Sequence, residues 1–254
     1  MKYSWDHTIQ HVNNLEKSID VFGAHGLKAF KGGSHTNWGT YNALSYFGLC
    51  YIEFLGIENL NLAKQVEEPI LFVKDSLELL PDREVFGRVA LRTDDIEKAA
   101  QLLKEESLAV SDIFEGRRRN AQGQLIEWKM LMLEGDFEGL LYPFIIQWRD
   151  SDDSRKKNLM DAGAICPHPI GSVDISSAIF SVKNPAETAS HWSKLFGFPI
   201  EHIDDQFSLL SVDGQSFLFQ KGAANRLTEL LFTTDNLAMK GRTITLGSAT
   251  YRFK

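Results

Sequence analysis

Four side chains carry the chemistry this sequence could perform: His7, His11, His35 and Glu53. On an extended strand His7 and His11 project to one face together with Trp5 and Ile9. Glu53 lies inside the apolar run Leu49-Cys50-Tyr51-Ile52-Glu53-Phe54-Leu55. An ionised carboxylate there loses solvation unless a cation or hydrogen-bond donors compensate. His35 falls in a polar, glycine-rich segment, Gly32-Gly33-Ser34-His35-Thr36-Asn37-Trp38-Gly39-Thr40-Tyr41-Asn42, where backbone can approach a ligand closely. His7, His35 and Glu53 together form a ligand set suited to a divalent metal (Zn, Fe, Mn or Ni) with open coordination positions. Glu53 and His11 are the candidates for acid–base work. Any one of these histidines also fits a hydrogen-bonded structural role.

Strands must carry these residues. Ser4 to Val12 reads as a strand, Asn13-Asn14 as a cap, and Leu15, Ile19 and Phe22 as the apolar face of a helix ended by Gly23 and Gly26. Extended runs near 29–34, 41–47 and 49–55 complete a βαβββ order. The order recurs with Phe86 to Arg92, the cap Thr93-Asp94-Asp95, a helix face of Ile96, Ala99, Ala100 and Leu103, and strands near 108–116, 124–133 and 141–148. A third copy starts at Ala178 to Val182, turns at Asn184-Pro185 and continues through Ala189, Trp192, Leu195 and Phe196 to strands near 198–203, 207–212 and 217–220. Thr233-Thr234-Asp235-Asn236-Leu237 opens a partial fourth. The expected fold class is α+β: repeated βαβββ modules, two of them paired into a cupped mixed sheet over residues 1–150, a linker at 151–171, and a smaller C-terminal pair, one full and one partial, at 172–254.

Composition narrows the function. With 254 residues, 43% hydrophobic and 24% charged, the chain reads as globular, and a formal net charge of −7 opposes nucleic acid as a partner. Cys50 and Cys166 offer neither a zinc cluster nor a disulfide framework and fit a reducing, cytoplasmic setting. Charges at Lys2, Asp6, Glu16, Lys17 and Asp20 interrupt the start of the chain, and no run approaches about 18 apolar residues, so no membrane is expected. A Gly-x-Ser-x-Gly elbow, a phosphate loop and a His-Glu-x-x-His helix are all missing.

The module order, Asp6-His7 in the first strand, Gly32-Gly33-x-His35 followed by Gly39-Thr40-x-Asn42, and Glu53 in the fourth strand resemble the glyoxalase-like group of the vicinal oxygen chelate superfamily. The likeness extends through Gly116-Arg117-Arg118-Arg119, Pro143 to Trp148 and His168-Pro169-Ile170-Gly171. It implies a cupped sheet holding a divalent metal, lyase, isomerase or dioxygenase chemistry on a small oxygenated substrate, and a homodimer. Aligning the second module sets Arg88 against His7 and Gln147 against Glu53, a cation and an amide where ligands are expected. Arg88 and Arg92 would then grip an anionic substrate, with Gln147, Asn42 and the flat wall of Trp128 completing its pocket. A metal-free binding or sequestering protein of the same fold is the alternative reading. The arginines at 117–119 read as a solvated turn before Asn120-Ala121-Gln122-Gly123.

Overall fold

The structure, a computed structural model, describes residues 2–66, 70–119 and 125–254, with the side chains of residues 118 and 119 outside the description. The first module runs β1 (Ser4–His11), α1 (Leu15–Ala24), β2 (Phe30–His35), β3 (Thr40–Phe47) and β4 (Cys50–Ile57). Asn14 caps α1 by accepting from the Lys17 backbone N–H. Two helices absent from the sequence reading follow, α2 (Leu60–Lys64) and α3 (Leu71–Leu79). The second module runs β5 (Phe86–Arg92), α4 (Ile96–Glu105), β6 (Phe114–Arg119), β7 (Leu125–Leu131), a short hairpin of β8 (Asp136–Phe137) and β9 (Leu140–Leu141), and β10 (Phe144–Trp148). Asp95 caps α4 as Asn14 caps α1. The strand expected from residue 108 begins only at Phe114, with Val110 contributing an isolated bridge to Leu133.

A helix, α5 (Asp152–Asp161), occupies the segment read as a linker. The third module is β11 (Val173–Val182), α6 (Pro185–Phe196), β12 (Ile200–Ile203), β13 (Phe207–Val212) and β14 (Gln215–Lys221), and the partial fourth is β15 (Arg226–Thr234), β16 (Thr243–Leu246) and β17 (Ala249–Phe253). Asn236 still caps the start of the missing fourth helix, accepting from the Ala238 N–H, but the chain only turns there.

Among the described residues the strands form an eight-stranded sheet, β2-β3-β4-β1-β5-β10-β7-β6, and a seven-stranded sheet, β12-β13-β14-β11-β15-β17-β16. In the first, β1 and β5 meet antiparallel at the centre while each runs parallel to the last strand of its own module. The sheets share an apolar layer in which Trp5 meets Phe217 at 5.3 Å, Phe22 meets Tyr251 at 5.1 Å and Phe47 meets Phe232 at 4.9 Å. Gln10 crosses this layer, donating to the Leu246 carbonyl and accepting from Tyr251 Oη. The other face of the first sheet is a cup lined by Ile9, Leu55, Ala90, Trp128, Met130, Phe144 and Ile146, and closed at one end by Ile70, Phe72 and Val73 around α3. At its other end Leu44, Tyr46 and Tyr51 pack under Leu159, Ala164 and Ile165 of α5 and the chain after it.

Strict alternation would have put Trp5, His7, Ile9 and His11 on one face. Instead the β1/β5 ladder pairs Trp5 with Leu91 and His7 with Ala90, so Asp6 is an extra residue. Trp5 enters the layer between the sheets, while Ile9 belongs to the cup. A bulge of this kind re-aims side chains, and it brings two adjacent residues, Asp6 and His7, into one polar cluster. No helix among the described residues is long and apolar enough to cross a membrane.

Candidate functional site

The cluster begins at His7, which is buried with its ring stacked 4.5 Å from Tyr51 and edge-on to Phe144 at 5.4 Å. Its Nδ1 lies 2.7 Å from Asp6 Oδ1. Asp6 is wholly buried. Burial alone would push its carboxyl up, but the Arg155 guanidinium and the His7 hydrogen bond hold it well below the usual carboxylate range. An ionised Asp6 can only accept, so His7 Nδ1 carries the proton and Nε2 faces the cup. There it meets Glu53 Oε2 at 3.5 Å.

Glu53 is approached from two more positions. Asn42 Nδ2 donates to its Oε1 at 2.6 Å, and His35 Nε2 stands 3.9 Å from the same oxygen. The glycine-rich segment explains how. Gly39 turns at φ +66, and a Cβ on it would come within 2.4 Å of the Asn59 carbonyl. Thr40 then sets its hydroxyl 2.9 Å from His35 Nδ1, and Asn42 follows two residues on, facing Glu53. Asn42 Oδ1 is buried with no hydrogen-bond partner, and a Cβ on Gly32 would lie 2.2 Å from it. The bare glycine therefore makes room for the Asn42 amide itself, which packs directly against it. A cleft of about 1000 Å³, lined by Gly32, His35, Trp38, Ile70, Trp128 and Trp148 among others, opens alongside.

Other expected site residues are committed to other partners. Arg88 donates to Asp75 from Nε at 2.7 Å and Nη2 at 3.3 Å, and from Nη1 to the Tyr142 carbonyl at 2.8 Å. Its alignment with His7 does not become a contact, because Ala90 is the cross-strand partner. Arg92 binds Asp152 and the Trp5 carbonyl. Gln147 lines the cleft but commits both ends of its amide, accepting from the Ile96 N–H and donating to the Asp94 carbonyl, so it braces the start of α4. His11 is fully buried under α3, with Nδ1 2.9 Å from Ser76 Oγ and Nε2 without a partner. Burial, helped by Arg88, pushes its imidazole down to about 3. His11 thus stays neutral and has no path to the cleft.

Asn42 and Trp128 do reach the site region. Asp6, which the sequence marks only as the neighbour of His7 in a motif, and Arg155, which it does not mark at all, complete it. Asp6 Oδ2 accepts from Trp148 Nε1 at 2.9 Å and from Arg155 Nη1 at 3.0 Å. His168 is a staple: its Nδ1 accepts from the Lys28 N–H and its Nε2 lies 2.9 Å from the Tyr46 carbonyl. Burial pushes the Cys50 thiol up to about 12, in keeping with a structural residue. The turn at Asn120-Ala121-Gln122-Gly123 lies outside the described residues, as do the side chains of Arg118 and Arg119.

Among the described residues no group of three or more His, Cys, Asp or Glu side chains is already gathered tightly enough to hold a metal ion. The donors approach that arrangement in pairs. The 3.5 Å between His7 Nε2 and Glu53 Oε2 is close to the ligand spacing of a tetrahedral site with bonds of about 2.1 Å, whereas His35 is further off at 3.9 Å.

A sequence model described as a glyoxalase-like domain matches residues 5–196. A search of curated proteins finds no match. Among solved structures, the chain is similar to a hypothetical protein from Staphylococcus aureus, at 26% identity and a TM-score of 0.86, with 99% of each chain covered. It also matches a methylmalonyl-CoA epimerase of Streptomyces coelicolor in complex with 2-nitronate-propionyl-CoA, at 16% identity and a TM-score of 0.42, over 58% of this chain and 98% of that one. The methylmalonyl-CoA epimerase of Mycobacterium tuberculosis matches at 15% identity and a TM-score of 0.40, over 60% and 91%.

Proposed function

Because this chain belongs to the glyoxalase-like domain family, we propose that the first-module half of its cup binds a small oxygenated compound and transforms it with a divalent cation held by His7, His35 and Glu53. The reaction class is that of a lyase, isomerase or dioxygenase. One observation carries the reading: His7 Nε2 faces the Glu53 carboxylate at 3.5 Å while Nδ1 is committed to Asp6. A neutral imidazole in this pose aims a lone pair at an anion, and two buried acceptors face each other stably only with a cation or a proton between them. The donor set suits such a cation, with two imidazoles, a carboxylate and a second carboxylate bracing one imidazole from behind.

When bound, the cation supplies a Lewis acid for negative charge developing on a substrate oxygen. Asn42 fixes the Oε1 side of Glu53, which leaves Oε2, facing His7 Nε2, as the oxygen that would hold the cation. Trp38, Trp128 and Trp148 exclude water and favour a flat apolar portion. The donors of Arg88 and Arg92 are on Asp75 and Asp152, so a negative charge on the substrate would be met instead by Arg117, Lys129 and Arg149, which line the cleft.

The test is elemental analysis and titration of the full chain with Zn²⁺, Fe²⁺, Mn²⁺ and Ni²⁺. Near-stoichiometric binding that disappears in His7→Ala and Glu53→Ala supports the proposal, and a protein that cannot be loaded by any of the four sinks it. A second reading, a metal-free binding protein, is favoured by the Asn42 donor already seated on Glu53. It predicts thermal stabilisation by small oxygenated ligands without turnover.

A further inference from the structure

Helix α5 is docked by charge rather than by an apolar stripe. Arg155 is its one buried residue, whereas a helix packed on a core ordinarily presents a continuous apolar face. The Arg155 guanidinium sits 4.1 Å over the Trp148 ring and 5.9 Å from the centre of Tyr51. Its Nη1 reaches Asp6 Oδ2 at 3.0 Å, and at the start of the helix Asp152 receives Arg92. Leu159, Ala162 and Asn158 of the same segment roof a second chamber of about 600 Å³ that Gly32 and Trp148 share with the larger cleft.

Asp6 divides its two oxygens. Oδ2 takes Arg155 and Trp148, and Oδ1 takes His7 Nδ1. The plane of this carboxylate, and with it the orientation of the imidazole, is therefore set from a helix distant in sequence. Removing Arg155 leaves one side-chain donor, Trp148, on Oδ2, with Arg92 acting on the buried anion only at longer range.

We propose that Arg155 is a positioning residue for His7, holding the ring through Asp6 with Nδ1 protonated and Nε2 turned to Glu53, so that docking of α5 and completion of the site are one event. This deepens the proposed function, since it rests on His7 being a working residue there. By reciprocity, whatever binds at Nε2 also favours the docked helix.

The experiment uses ¹⁵N-labelled full-length protein without added metal and follows the ring nitrogens of His7 by NMR. The wild type is expected to keep a protonated Nδ1. Arg155→Gln is expected to gain a population with deprotonated Nδ1, and Arg155→Lys, which keeps the charge but not the fork, a smaller one. Zn²⁺ affinity, read by chelator competition, is expected to fall roughly 10–100-fold in Arg155→Gln. Circular dichroism and Tm on the same samples report folding, since loss of packing alone lowers Tm without moving the ring nitrogens. Wild-type ring nitrogens in Arg155→Gln overturn the proposal. Should that variant not fold, the same result in Arg155→Lys does so. If the wild type takes up no Zn²⁺ while the nitrogen shifts behave as stated, the metal reading fails and the positioning role stands.

Discussion

Across the β1/β5 seam the cup changes character. On the first-module side His7, Asn42 and Glu53 meet, with His35 beside them, each held by a named partner. On the second-module side the neighbouring residues are Ala90, Phe144, Ile146 and Met130, all buried and apolar. The cation on the strand beside the seam, Arg88, is matched to Asp75 beneath α3, and other cations of that half, Arg117, Lys129 and Arg149, stand at the cleft's outer lining. The same module order thus builds a polar floor on one side and a dry wall on the other. That difference matters physically, because a polar cluster beside a low-dielectric wall interacts more strongly than one in water. Two modules of like order form one cup with unlike halves.

The largest effect is expected from breaking the polar half at its base. Asp6→Ala removes the counter-ion of buried Arg155 and the brace of His7. A loss of roughly 3–5 kcal/mol is expected from leaving one partner of a buried pair uncompensated, measured by urea unfolding. A loss below about 1 kcal/mol, the worth of an exposed pair, would mean that the cluster does not organise this half.

Next comes His11, polar in type yet outside the chemistry. Burial and Arg88 hold its folded imidazole near about 3, while an unfolded histidine titrates near ~6.5. As pH falls through that window the unfolded state takes up the proton first, so the native state loses stability toward acid. The contribution is about 1.4 kcal/mol per pH unit between roughly pH 6 and pH 4. It is absent above the unfolded value. His11→Gln should flatten the acid limb of the stability–pH curve over this range, and an unchanged limb would show that His11 is not held neutral.

How much of this was legible depends on the range of the interaction. The strands, the caps at Asn14 and Asp95 and the gathering of His7, His35, Asn42 and Glu53 follow from local patterning and from the first-module motif. The partner of Asp6 does not. Alternation puts Asp6 and His7 on opposite faces, and the bulge that joins them is set by the register with β5 some eighty residues away. Arg155 sits in a stretch without apolar periodicity, so a buried guanidinium there reads like a solvated one. Arg88 was misjudged because its counter-ion is on α3, a helix unassigned from sequence although Phe72, Val73 and Leu77 carried the signal.

The wall can be tested by making it resemble the floor. Ala90→His places a second imidazole directly across the ladder from His7, at a fully buried position. Overpacking should cost about 1–3 kcal/mol, read by thermal or urea unfolding, and the cleft beside Trp128 should lose ligand-induced stabilisation. Unchanged stability would mean that the seam has room for a second ligand, and the division between the halves would be weaker than drawn.

The smallest effect separates two amides. Gln147, aligned with Glu53 by module order, spends both ends of its amide on the start of α4, accepting from Ile96 N–H and donating to the Asp94 carbonyl. Asn42 spends its amide N–H₂ on Glu53 and leaves Oδ1 unmet. Gln147→Leu should therefore act as the loss of a helix cap, costing about 1 kcal/mol, with divalent-cation or ligand binding unchanged. Asn42→Ala should do the reverse, because it frees the Glu53 oxygen that faces His35. Its signature is a change in binding larger than its change in Tm. If both variants alter binding alike, the Gln147 amide contributes to the site as well as to α4, and the apolar half is more than a wall.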